Sequence, residues 1–183
     1  MTEEEFNELR VLDLKEAIEE AEREGTPEML AYARKQLADL YMENDDTEKA
    51  LEQYEMALKE GADDVLENLG LCYYAAGDER KAMKTWKRGA ENGDQMCILR
   101  YGLALVEARE EDEDIIRKLT GLAEKEEEAA GDASAVLYLH YIREGDEDSA
   151  EAWRERAMEM GSNLMEALEQ ENSEAENGED DWS

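Results

Sequence analysis

Residues that could do chemistry are few and far apart in this chain. His140 is its single histidine, and Cys72 and Cys97 are its only cysteines. A zinc site needs three or four convergent Cys, His or carboxylate ligands, and one histidine with two distant cysteines does not compose a set. His140 sits between Leu139 and Tyr141 in a helical stretch and reads as a packed or partly exposed side chain. Both cysteines lie in apolar helical stretches, where free Cys behaves as a small core residue. Carboxylates are abundant, 52 in all, but none is flanked by the apolar residues that would raise its pKa for acid–base work. The acidic run Glu110–Asp114 (EEDED) lacks the glycine and the spaced terminal Glu of a calcium loop. No phosphate-cradling glycine loop is present. A non-enzyme is expected, with no catalytic residue, metal or cofactor.

Charge sharpens this. The 183 residues carry a net charge of −32. Its shares are −12 over residues 1–60, −7 over 61–130 and −13 over 131–183. Such a surface repels nucleic acid and anionic membranes and favours a basic partner; the plainer reading is solubility alone. The start, MTEEEF, is acidic and lacks the apolar core of a secretory signal. No stretch approaches the ~18 apolar residues of a membrane span. A cytoplasmic location is expected.

The elements that must carry these residues are helical. One Pro, 12 Gly and a wealth of Ala, Leu, Glu and Lys favour helix, and alternating β patterns are missing. Gly61, Gly93, Gly131 and Gly161 recur at steps of 32, 38 and 30 residues, each closing a helical segment. A period of this size marks stacked helical hairpins. An N-terminal helix is expected over 2–24, with Thr2 and Glu5 as its capping box, Val11, Leu14, Ile18 and Ala21 as its apolar stripe, and Gly25 as its end. Thr26 is expected to cap the next helix, with Pro27 at its first position. Hairpins follow at about 28–60, 63–92, 95–130 and 133–160, and a short cap at 162–170. These form one repeat domain over 1–170. The remainder, 171–183, is acidic and nearly devoid of apolar residues, and reads as a disordered tail. Trp182 within it is either a short docking motif or simply part of a chain end.

The hairpins resemble the tetratricopeptide family, with Sel1-like features. The second carries Leu69-Gly70, Tyr73, Gly77, Ala82 and Trp86. In the first, Leu37-Ala38, Tyr41, Asp45, Ala50 and Tyr54 stand 32 residues earlier. The third keeps Gly102; the fourth keeps Tyr141, Gly145, Ala150 and Ala157. The stretch Lys81–Asp94 (KAMKTWKRGAENGD) looks like a Sel1-like ending. Small residues at 38, 70 and 102 let paired helices cross closely, and the aromatics at 54 and 86 fill the space between hairpins. The chain departs from the family in its 32-residue step, in lacking the proline near each repeat's end, and in Tyr138 at the small position. The resemblance implies an all-α fold, a right-handed α-solenoid of about four helix-turn-helix repeats with an N-terminal helix and a short C-terminal cap.

It also implies a concave groove lined by the first helix of each hairpin. By register that face presents Tyr32, Lys35, Asp39 and Met42, then Asp64, Glu67, Leu71 and Tyr74, then Leu99, Leu103 and Val106, then Ala135, Leu139 and Ile142. Its middle is apolar and its edge toward the N-terminus acidic, which suits a peptide or protein with apolar anchors beside Lys or Arg. The same residues would equally serve to pack the N-terminal helix or a second copy of the chain. Lys35, Asn68 and Arg100 match three of the five positions at which some tetratricopeptide domains clamp a terminal carboxylate, but Asp39 and Met96 hold the other two. One basic island, Arg80, Lys81, Lys84, Lys87 and Arg88, falls on the outer face of the second hairpin. It is either a solvated helix face or a contact for acidic groups. The resulting expectation is a non-catalytic interaction scaffold for a basic protein or peptide. The alternative is an acidic inhibitor or immunity-type protein that masks the nucleic-acid-binding surface of a basic target.

Overall fold

Thr2 starts the first helix. Its hydroxyl accepts the Glu5 amide at 3.2 Å, and the Glu5 carboxylate accepts the Thr2 amide at 2.7 Å, so two orphan donors are satisfied reciprocally. Helix α1 then runs Glu3–Glu24 and stops at Gly25, whose left-handed backbone ends it. The computed structural model describes residues 2–125 and 127–178. Over these it is all-helical, with no strand among the described residues. The elements after α1 are α2 (Pro27–Glu43), α3 (Thr47–Lys59), a 3-10 turn (Asp63–Val65), α4 (Leu66–Ala75) and α5 (Glu79–Glu91). They continue with α6 (Gln95–Ala108), α7 (Glu113–Ala123), α8 (Ala130–Glu144), α9 (Glu147–Glu159) and α10 (Asn163–Gly178).

The turns inside the hairpins reuse one device. Asp45, Gly77, Arg109 and Gly145 end the first helices with positive φ, from 55° to 78°. An aspartate then caps the second helix. Asp46 accepts the Lys49 amide, Asp78 the Lys81 amide, Asp112 the Asp114 amide and Asp146 the Ser149 amide, at 3.1–3.3 Å.

Three expectations are corrected. Gly61, Gly93 and Gly161 do close helices, but Gly131 lies inside α8, buried, where an added Cβ would come within 3.1 Å of the Ser162 backbone. The third hairpin therefore ends at Ala123, before the expected boundary, and Ala130 already belongs to the fourth. Thr26 does not cap α2 through its side chain; its hydroxyl turns back to the Ala21 carbonyl, 3.5 Å away, and Pro27 opens the helix. Helix α10 runs past Gln170, into the stretch expected to be a disordered tail. Extending a formed helix costs no new nucleation, and the Glu, Asn and Ala residues that follow do not break it. Trp182 lies outside the described residues.

Where one repeat domain was expected over 1–170, the chain divides into two compact units, Met1–Asn92 and Gly93–Ser183. In the first, α1 packs on α2, α2 on α3, α3 on α4 and α4 on α5. Ile18, Leu37, Tyr41, Tyr54, Leu69 and Cys72 belong to its buried core, and Val11 and Leu14 pack partly against it. Arg34 is buried with them. One of its nitrogens holds Glu22 of α1 at 2.7 Å while the other reaches Gln53 and Met56 of α3, so one side chain spans three helices. In the second unit α6, α7 and α8 pack on one another, α8 on α9, and α10 on both α8 and α9. Leu119, Val136, Leu137 and Met165 are buried there. The Ser162 hydroxyl donates to Asp132 at 2.6 Å and accepts the Met165 amide at 3.0 Å, which seats the start of α10 against α8.

Candidate functional site: the first-helix faces

In the first unit the expected face is carried by α2 and α4. Tyr32 stands out from α2 at 65% exposure, with no interior role. Lys35 is ion-paired with Asp64, joining α2 to the 3-10 turn before α4. A cleft of about 220 Å³ lies beside them, lined by Tyr32, Lys35, Gly61, Ala62 and Asp64 among others, below the size usual for a small-molecule site. Further along, the buried Tyr54 hydroxyl donates to the Asp39 carboxylate at 2.5 Å, and the Asn68 amide lies 3.2 Å from that hydroxyl and 3.4 Å from Asp39. Burial first, and then the hydrogen bond to the Asp39 carboxylate and its charge, push the Tyr54 phenol far above its ordinary pKa. Glu67 is half-buried, and its backbone carbonyl accepts the Trp86 indole N–H at 3.1 Å. Leu71 is half-buried and Tyr74 is half-exposed, with its ring 6.0 Å from that of Trp86.

The face is therefore less acidic in effect than its sequence. Asp39 and Asp64 are both engaged within the fold, and Lys35 and Asn68, two candidate clamp residues, are their partners. In the second unit Leu103 and Val106 on α6 and Leu139 on α8 are half-buried, and Ile142 is 51% exposed. Leu99 and Ala135, which the register places on the same line, are instead buried, because α6 and α8 turn those positions into the core. Leu71, Leu103 and Leu139 each keep contact with solvent.

The residues with chemical reach lie apart from this face or carry other roles. His140 is half-buried, its ring edge-on to Tyr141 at 5.0 Å. Burial and the nearby Arg143 guanidinium lower its pKa, against a smaller opposing pull from Glu144 and Glu111. Cys72 is buried, its thiol pushed up to about 11 by burial and its sulfur 3.3 Å from that of Met42. A thiol so protonated is a poor nucleophile. No group of three or more metal-ligating side chains converges among the described residues. No helix among them is long and apolar enough to cross a membrane. The basic island is exposed throughout: Lys81 pairs with Asp78 in its own turn at 3.2 Å and Arg88 with Asp63 at 2.5 Å.

Sequence reasoning missed the arginines that tie hairpins together. Arg143 donates to the Leu105 and Glu110 carbonyls at 3.3 and 3.1 Å, and Arg156 to the Ala123 carbonyl at 3.3 Å. Each satisfies the end of a helix some 33 to 38 residues earlier, a separation no local pattern reveals. The outer face of α1, where Phe6, Leu9 and Leu12 stand about half exposed, was also missed, although its three-residue spacing was visible.

The geometry defines a class, an all-helical protein of adjacent packed helix pairs. No family model, curated protein or solved structure matches the chain, so its likeness to tetratricopeptide and Sel1-like repeats rests on its own residues.

Proposed function

We propose that the chain is a non-catalytic, cytoplasmic interaction scaffold whose hairpins are tetratricopeptide/Sel1-like repeats stacked in a right-handed sense within each unit. Its ligand is a peptide or protein segment with apolar anchors and Lys or Arg nearby. The observation that carries this reading is the pair Tyr32 and Tyr74. Both are exposed aromatics on first helices of the first unit, with Lys35 and the half-buried Leu71 on the same helices and Asp64, the partner of Lys35, in the 3-10 turn before α4. Large exposed aromatics, one of them steadied by its ring contact with Trp86 and both set near polar groups that are already paired, supply contact area at little conformational cost. Leu103, Val106, Leu139 and Ile142 offer the second unit a comparable, more apolar face.

Peptide display against the full chain tests this. Selected peptides are expected to combine apolar anchors with basic residues and to lose about tenfold in affinity to the Tyr32→Ala/Tyr74→Ala variant. Peptides without that composition, bound equally by the variant, would remove the reading. The net charge of −32 favours a second reading, an acidic inhibitor that covers the nucleic-acid-binding surface of a basic target. Affinity that falls steeply with salt marks charge mimicry, and affinity that persists at high salt marks apolar recognition.

A further inference from the structure

Helix α1 is apolar on two sides. One side, through Val11, Leu14, Ile18 and Ala21, packs into the first unit's core. Asn7 and Arg10 face the same way and reach Asn44 and Glu43 at the end of α2, at 2.8 and 3.2 Å. The other side carries Phe6, Leu9 and Leu12 at 49%, 50% and 52% exposure. At a spacing of three residues they make a single ridge about 9 Å long on the helix surface. The Arg10 guanidinium lies 5.9 Å from the Phe6 ring. Folding has no use for this second stripe, since the first already supplies the contacts to α2.

Charge decides what can cover it. Asp13 and Glu16 lie along the ridge, Glu5 and Glu8 beside it, and all four are exposed. The helix as a whole has ten acidic and three basic residues, a net charge of −7. Two copies of this face brought together would set carboxylates against carboxylates, which costs several kcal/mol. An anionic membrane is repelled for the same reason. A helix carrying apolar residues every third or fourth position with Lys or Arg on either side meets both requirements. Its long basic side chains can lay their methylene stems over Leu9 and Leu12 while their charged ends reach the carboxylates.

We propose that the Phe6–Leu9–Leu12 ridge of α1 is a docking face for a basic amphipathic helix of a partner protein. It is separate from the first-helix faces, and it stands or falls independently of them.

The test uses the full chain and a synthetic amphipathic peptide of about 18 residues, with Leu on one stripe, Lys flanking it and Ala elsewhere, long enough to be helical when bound. Fluorescence anisotropy gives the affinity, and amide shifts in the labelled protein give the footprint. The expected footprint is residues 5–16. Phe6→Ser/Leu9→Ser/Leu12→Ser is expected to weaken binding about tenfold or more while circular dichroism and the melting temperature stay near those of the parent. Asp13→Lys/Glu16→Lys, which leaves the apolar ridge intact, is expected to weaken binding at low salt and to match the parent at high salt. Any of four results would overturn the proposal: unchanged affinity in the folded triple-serine variant, a footprint confined to the Tyr32 and Tyr74 faces, equal binding of a peptide with Glu in place of Lys, or a dimer of the parent that the triple-serine variant abolishes.

Discussion

The indole of Trp86 occupies the place a side chain on Gly70 would take: a Cβ added at residue 70 would lie 2.1 Å from the indole nitrogen and 2.5 Å from its nearest carbon neighbour. Trp86 is 4% exposed and fixed by its bond to the Glu67 carbonyl, so the ring cannot step aside without loss. Gly70→Ala is therefore expected to cost about 1–3 kcal/mol through overpacking. Gly102→Ala should cost less, because its nearest neighbour is the end of the flexible Leu119 side chain at 2.8 Å. Gly121→Ala meets nothing within 4 Å in α7 and should gain about 0.5–1 kcal/mol from helix propensity. Urea unfolding of the three variants checks the order, and a Gly70→Ala variant as stable as the parent would contradict the packing.

Tyr54 and Asp39 form the polar knot of the first unit. The phenol is fully buried, so Tyr54→Phe removes its bond to Asp39 and is expected to cost about 1 kcal/mol, with water compensating the half-buried carboxylate. A phenol whose folded pKa is raised contributes stability that is fully present below the unfolded value near 10 and is lost as pH rises above it. Tyr73, raised by burial and by its 2.6 Å bond to Glu55, adds to the same limb. Stability measured between pH 8 and 11, an interval set by the ordinary tyrosine value, should fall less steeply in Tyr54→Phe than in the parent. It follows that reversing the charge of Asp39 perturbs the fold as well as the candidate face, so Tyr32 and Tyr74 are the cleaner probes of binding.

Much of the fold was legible because its signals are local. The Thr2–Glu5 box and the Gly25 stop each act within a few residues of themselves. Gly131 misled because glycine has two uses that look alike in a sequence, ending a helix or permitting close approach, and here it serves the second against Ser162. The turn at Arg109 hid its kinship with Gly77 because an arginine holds the left-handed conformation there. Register reads Leu71, Ile142, Leu99 and Ala135 all as face positions; the first two keep solvent contact and the last two are buried, since helical phase alone cannot say how far a helix is rotated into its neighbours. Whether a carboxylate on that face is free was not legible at all: Asp39 and Asp64 find their partners 29 residues away or on another helix.

His140 reports on the corner held by Arg143. With burial and the guanidinium both disfavouring the imidazolium, it should titrate below the ordinary value of about 6.5. A group whose folded pKa is depressed contributes stability above its unfolded value that is lost as pH falls through the folded one. The expected result of an NMR titration is a midpoint below 6.5 in the parent and an upward move in Arg143→Met, where one of the two lowering causes is gone. Arg143→Met should also loosen the ends of α6, whose Leu105 carbonyl it holds, and raise amide exchange around residues 105–110. A midpoint unmoved by the substitution would separate the histidine from the guanidinium.

The chain folds against its own charge. At −32, carboxylates outnumber basic groups on seven of the ten described α-helices, and apart from pairs such as Arg34–Glu22, whose guanidinium is buried, many of the ion pairs, Arg10–Glu43 and Arg154–Glu151 among them, are exposed. Exposed pairs contribute little, whereas the accumulated repulsion acts on the whole surface and is screened within about 10 Å at 0.1 M salt. Adding sodium chloride from low to molar concentration should therefore raise the melting temperature by roughly 3–8 °C, the shift expected for about 1 kcal/mol or somewhat more. Acid should act in two stages. Mild acidification relieves repulsion and stabilises, until pH reaches the range of the capping aspartates. Asp46, Asp78 and Asp146 have pKa values held below the ordinary 3.8 by hydrogen bonds, to Lys49 for the first, Lys81 for the second and Ser149 for the third. Their contribution is complete above the unfolded value and disappears as pH falls through the folded one. Melting temperature against pH should rise from pH 7 and turn down only below the ordinary aspartate value, near 4. A monotonic decline from neutrality would mean that the surface carboxylates are stabilising one another's partners rather than repelling.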